Sequence, residues 1–196
     1  MGPNDVELWQ SACSGHVEAF GDVFDRHADA ICGFCFRRTA DRAAAEDLTS
    51  IVFLEAWRRR QSVRFYGTSA LPWLYGVATN VVRNHQRSLR RHAAALARLP
   101  RPEPEPDFAG DVDERVDIEA AMKQIADLVA ELPTPEQDVF VLCVWQDLPY
   151  AAAAQALELA EATVRSRLFR ARGRIREQLT SVASEVNSSP EEAPYR

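Results

Sequence analysis

Six arginines, Arg165, Arg167, Arg170, Arg172, Arg174 and Arg176, crowd the stretch EATVRSRLFRARGRIREQL, and no acid interrupts them. Guanidinium groups at that density can grip phosphate oxygens, and a guanidinium is also shaped for bidentate contact with guanine. At about 100° per residue, Val164, Leu168, Ala171, Ile175 and Leu179 share one apolar stripe. The opposite crest holds Ser166 and Gly173, flanked by Phe169 and Arg170. Arg167 and Arg174 lie on one shoulder, and Arg165, Arg172 and Arg176 on the other. Such a helix can lower its crest into a major groove while its rims meet phosphates. The expected division is Arg170 on a base edge, with Arg167 and Arg172 on phosphates. A merely solvated helix would need acids at nearby helical spacing, and Ala162 to Arg176 supplies none.

A second basic zone lies upstream. Between Ala56 and Pro102 there is no Asp or Glu, while Arg58, Arg59, Arg60, Arg64, Arg83, Arg87, Arg90, Arg91, Arg98 and Arg101 all fall there. The sign then reverses, with eight acids from Glu103 to Glu119 against the single Arg115. The formal net charge of -6 therefore describes no local surface. Two basic zones separated by acid suggest two contacts with polyanion.

The elements that must hold these zones are helical. Val17, Phe20, Phe24, Ile31 and Cys35 recur at helical spacing, and so do Leu48, Ile51, Val52 and Trp57, with RRTADR between them. QSVRFYGTSA reads as a loop, and Pro72 suits the first turn of a long helix through Trp73, Leu74, Val77, Ala78, Val81 and Val82. LPRPEPEPDFAG cannot continue it. A second unit begins near Ile118 and reads as four helices. The second of these starts at TPEQ, where Thr134 is expected to cap, and the last two have the order of a helix-turn-helix. The predicted fold is all-α: two small helical domains, 1–95 and 118–180, joined by a flexible acidic linker at 96–117, with a disordered tail at 181–196.

Several functions are excluded. His16, His27, His85 and His92 show no metal-ligand spacing, and no glycine-rich phosphate loop or GxSxG elbow occurs. Cys32 and Cys35 in CGFC would give two zinc ligands, with His27 a third and no fourth, so packed helix residues are expected. No catalytic residue, metal or cofactor is predicted. No apolar run could span a bilayer, and the N-terminus lacks the order of a secretory leader, so the expected place is the cytoplasm without membrane insertion.

Five segments in order, FGDVFDRHADAI, DRAAAEDLTSIVFLEAW, LPWLYGVATNVVRNHQR, ELPTPEQDVFVL and ATVRSRLFRAR, resemble the successive signatures of extracytoplasmic-function (ECF) sigma factors. The resemblance implies a promoter-specificity subunit of bacterial RNA polymerase, without catalysis of its own. It would bind promoter DNA and the core polymerase, at the clamp coiled coil and the flap, and be held by an anti-sigma factor. The resemblance assigns Arg64, Phe65, Tyr66, Asn80, Arg83, Asn84 and Arg87 to the melted minus-ten element. It assigns Thr163, Arg165, Ser166, Arg167, Phe169, Arg170, Arg172 and Arg174 to the minus-thirty-five element. Asp41, Glu46, Asp47, Phe53, Glu55 and Trp57 would dock on the clamp. Two departures stand out: AAAA at Ala151 to Ala154 where EEIA is common, and Glu158 and Ala162 where the turn usually has glycine. The rival readings are a stand-alone helix-turn-helix regulator and a protein-binding adaptor, neither of which needs the PWLYGVATN helix.

Overall fold

A computed structural model describes residues 2–98 and 114–187. Among them are eight α-helices and no strand beyond an isolated bridge between Tyr66 and Ser69. Most of the linker, and the tail beyond Asn187, lie outside the described residues. The last helix runs to Asn187, past the expected boundary at 180, and the fifth begins at Glu114 rather than near Ile118.

The first helix, α1 (Asp5–Cys13), was not expected from the sequence. Asn4 caps it by accepting from the Val6 and Glu7 amides, while Glu7 accepts from the Asn4 amide in return. Its Trp9 ring meets Phe20, Phe65 and Trp73 edge-on, and the indole N–H donates to the Arg60 carbonyl at 2.8 Å. Helix α2 (Val17–Thr39) ends at Ala40, whose left-handed φ of 52° turns the chain, and Asp41 caps α3 (Arg42–Arg58) by accepting from Ala44. RRTADR is thus a helix end and the next helix's cap. Val23, Ile31, Phe34, Cys35, Leu48, Val52 and Ala56 of these two helices are buried together.

Helix α4 (Leu71–Leu96) has Pro72 in its first turn, as expected. It buries Leu74, Tyr75, Val77, Ala78 and Val82, then runs on fully exposed from Arg87. The second unit comprises α5 (Glu114–Ala130), α6 (Thr134–Phe140, continuing as a wide π turn to Trp145), α7 (Tyr150–Leu157) and α8 (Glu161–Asn187). Val129, Leu132, Val139, Leu142, Ala153, Val164, Leu168 and Ala171 form its core. The Thr134 cap is not made. Pro133 precedes the helix in extended conformation and its carbonyl takes the Glu136 and Gln137 amides, while the Gln137 side chain is drawn to Val129 and Arg38.

The two units pack on each other. Ala152 to Ala154 are buried, and Ala156 brings its carbonyl so close to Gly76 of α4 that any Cβ there would overlap it. The AAAA departure thereby gains a reason, since small side chains let α7 lie tightly against its neighbours. Polar contacts ring this seam: Arg37 to Gln146 at 3.1 Å, Arg38 to Gln137 at 3.1 Å, and Gln155 to the Phe65 carbonyl at 3.1 Å.

Candidate nucleic-acid interface

Helix α7, the turn and α8 form the expected helix-turn-helix. The turn closes with Glu158 in the left-handed region at φ 54°, and the Leu159 amide reaches back to the Ala154 carbonyl at 2.9 Å. A non-glycine residue there costs about 1–3 kcal/mol, which the buried α7 packing must offset. Val164, Leu168 and Ala171 are buried as the stripe predicts, Ile175 is half-buried, and Leu179 is exposed.

The crest is open. Phe169 is 81% exposed, and Arg165, Ser166, Arg170, Arg172 and Arg174 are exposed beside it. Thr163 and Arg167 are half-buried, and the Ser166 hydroxyl donates to the Thr163 carbonyl at 3.1 Å. An aromatic ring left in water forgoes about 1.5–3 kcal/mol of burial, so this position suits a surface that covers it, such as a thymine methyl.

The expectation that no acid pairs with these arginines is corrected. Arg165 pairs with Glu161 one turn earlier, a contact that raises its already high pKa. Arg170 and Arg174 both donate through Nε to the single carboxylate of Glu136, at 3.1 and 3.0 Å. Sequence reasoning missed Glu136 because its arginines are remote in the chain. TPEQ read as a cap, and only packing of α6 on α8 brings the charges together.

On α4, Asn80, Asn84 and Arg87 are exposed along one side. Tyr66 is exposed and Arg64 lies beside it, but Phe65 is packed edge-on against Trp9 and is not free to capture a base as it stands. Arg83 is half-buried and ion-paired with Asp138 of α6. Asn80, Arg64 and Arg83 line a cleft of about 420 Å³ whose far wall is Pro135, Asp138, Gln155 to Leu159 and Arg167. Arg167 of the predicted minus-thirty-five set thus lines the same cleft as Arg64, Asn80 and Arg83 of the minus-ten set.

The α3 set divides. Asp41, Glu46 and Asp47 are exposed, Asp41 capping its own helix and Glu46 pairing with Arg42 at 3.3 Å. Glu55 pairs with Arg58 and Arg59. Phe53 is corrected: it is 4% exposed and packed edge-on against Phe24 and Phe20, a core residue and not a surface one. Trp57 packs on Phe20 and beneath the Arg60 guanidinium, 4.2 Å from the ring centre. Ile51, which the sequence reading counted in the apolar stripe, and Leu54, which it did not single out, are exposed apolar residues of this helix.

No group of His, Cys, Asp and Glu among the described residues could hold a metal. His27 instead meets buried Asp5 at 2.7 Å. None of the described helices is long and apolar enough to cross a membrane.

Residues 23–92 match the family profile Sigma-70 region 2, and residues 122–175 match Sigma-70, region 4. The chain is 29% identical over 168 residues to the ECF RNA polymerase sigma factor BldN of Streptomyces coelicolor, covering 85% of this chain and 62% of that protein, less than two thirds of its length. It is 29% identical over 150 residues to the RNA polymerase sigma factor HrpL of Pseudomonas syringae, covering 76% and 81%. The fold matches that of CnrH, solved with the cytosolic domain of CnrY, at a TM-score of 0.65 and 22% identity over 91% and 97% of the two chains. It also matches the sigma factor RpoE, solved with the anti-sigma factor NepR from Bartonella quintana, at 0.56 and 21% over 82% and 96%. Two matched regions in the family's own order, one carrying the polar row of α4 and the other the arginine face of α8, make this chain a member of the sigma-70 family of RNA polymerase sigma factors, of the ECF type.

Proposed function

We propose that the chain directs bacterial RNA polymerase to promoters, with α8 on the minus-thirty-five element and α4 with the Tyr66 loop on the melted minus-ten strand. The observation that carries this reading is the exposed crest of α8, where Phe169 and Arg170 stand over a buried stripe in a helix-turn-helix. Asn80 and Asn84 offer amides to unstacked base edges, and exposed Tyr66 offers a stacking face. On this reading the chain has no catalysis of its own and acts in the cytoplasm.

Core polymerase would dock on α3 through Ile51 and Leu54 rimmed by Asp41, Glu46, Asp47 and Glu55. The groove of Phe140, Ile175 and Leu179 between α6 and α8, edged by Arg172 and Arg176, would receive the flap.

The shared cleft means that the packed arrangement is not the promoter-bound one. Two elements about 25 base pairs apart, at 3.4 Å each, are separated by roughly 85 Å, so the domains must part on DNA. An antagonist that holds them together would silence the chain, and the solved complexes of CnrH with CnrY and of RpoE with NepR support such a partner. Transcription from promoter DNA by core polymerase, with and without the chain, tests the function. Specific initiation that appears only with the chain is expected, and its absence with active core would overturn the reading.

A further inference from the structure

Glu136 lies in the first turn of α6, outside every segment assigned to DNA, yet its carboxylate sits between Arg170 beside the α8 crest and Arg174 on its shoulder. Its side chain is only 9% exposed, while those of Arg170 and Arg174 are 56% and 54% exposed. Both arginines reach it through Nε. A carboxylate held at Nε does not occupy the end-on pair of N–H groups, one from each terminal nitrogen, and that pair forms the fork that meets O6 and N7 of guanine. Arg170 and Arg174 are one helical turn apart, about 6 Å of rise, which matches roughly two base steps of 3.4 Å.

We propose that Glu136 is a positioning residue that aligns Arg170 and Arg174 as a two-base reader. The proposal rests on α8 being the minus-thirty-five reader. A long arginine side chain loses rotamer freedom when it binds, and a carboxylate that already fixes two guanidiniums removes part of that loss before DNA arrives. One buried acid can serve both because each arginine satisfies a different oxygen. Lysine would suit the arrangement less, since an ammonium bound to the carboxylate keeps donors but has no planar fork to present to a base.

The test uses the full chain assembled with core RNA polymerase, and a library of duplex promoter DNA randomised through the upstream element, whose bound members are sequenced. Wild type should show base preference at two nearby positions. Arg170→Ala should flatten one and Arg174→Ala the other, each by about fivefold or more, the lower end for loss of a bidentate base contact. Glu136→Gln, which keeps one acceptor oxygen, should weaken both preferences together. In an Arg170→Ala, Arg174→Ala background it should change nothing further, whereas a residue needed only for folding would still lower retention and thermal stability there.

Tighter binding of all sequences by Glu136→Gln, with steeper salt dependence, would make Glu136 a neutraliser of the arginines and overturn the proposal. Unchanged preferences in Glu136→Gln, with Arg170→Ala effective, would remove the positioning role alone. If neither arginine variant alters the preferences of a selective wild type, these arginines are not base readers and the proposal falls with that assignment.

Discussion

Asp138 of α6 meets Arg38 of α2 at 3.6 Å across the seam between the two domains, with the side chains only 1% and 2% exposed. The separation is a charge contact rather than a hydrogen bond, and the same carboxylate pairs with Arg83 of α4. Burial pushes the Arg38 pKa down while Asp138 pulls it back. Removing one partner of a buried pair leaves an uncompensated charge, typically a loss of about 3–5 kcal/mol. Asp138→Ala should therefore part the domains. Small-angle scattering of the full chain would show a larger radius of gyration, and an unchanged profile would mean that the seam is held by other contacts.

Gly76 offers an independent way into the same seam. Alanine in a helix interior is favoured over glycine by about 1 kcal/mol, so Gly76→Ala should not weaken α4 itself. Its Cβ would nevertheless overlap the Ala156 carbonyl, which is backbone and cannot swing aside. The expected outcome pairs an expanded chain by scattering with undiminished helicity by circular dichroism. A compact variant of normal stability would show that α7 can shift without releasing α4.

What the sequence made legible follows from where each signal lies. The α8 stripe is local, so period alone placed Val164, Leu168 and Ala171 inside, and Pro72 marked the start of α4 because a first turn needs no amide from it. Helix α1 escaped because a nine-residue helix gives too few repeats to stand out. Phe53 was misplaced for a different reason: an aromatic near a functional surface and an aromatic in the core look alike until the rings they pack on are known. The pairs of Glu136 with Arg170 and of Asp138 with Arg83 join residues 34 and 55 positions apart. Local spacing carries no trace of them.

Asp5 sets an acid limit on the first domain. Burial pushes its carboxyl up, but bonds from the Ala70 amide, His27 and Arg26 outweigh burial and hold the pKa below the ordinary value of 3.8. A depressed carboxylate contributes stability that is fully present above its unfolded pKa and is lost as pH falls through the folded one. The contribution should thus persist down to about pH 4–5 and fade below about 4. Asp5→Asn should lower the melting temperature at neutral pH and lose less than wild type on acidification. Parallel curves for the two proteins would exclude Asp5 as the group responsible.

The cysteines should separate by burial. Burial above all, with Cys32 nearby, pushes the Cys35 thiol up to about 12, and burial pushes Cys143 up to about 11. Since the thiolate is the reactive form, both should resist alkylation. Iodoacetamide at pH 8 followed by mass mapping should label half-buried Cys13 and Cys32 and spare Cys35 and Cys143 in the folded chain. Labelling of Cys35 at the rate of Cys32 would show that α2 opens locally and that its packed face is not sealed.

Asn80 separates melting from docking. Its amide is exposed at the mouth of the cleft, on the side of α4 shared with Asn84, and the two asparagines also border a groove with Ile51 and Glu55 of α3 that does not include Leu54. An exposed side chain outside the seam's hydrogen bonds has little part in folding, so Asn80→Ala should leave stability within about 0.5 kcal/mol of wild type and core binding intact. A base edge becomes available to the amide only after the strands part, so the loss should fall on the open complex. Permanganate footprinting of promoter DNA with the reconstituted enzyme would read this as weaker thymine reactivity at equal occupancy of the closed complex. Full reactivity in the variant would remove Asn80 from the melted-strand contact and leave the exposed ring of Tyr66 as the group to test there.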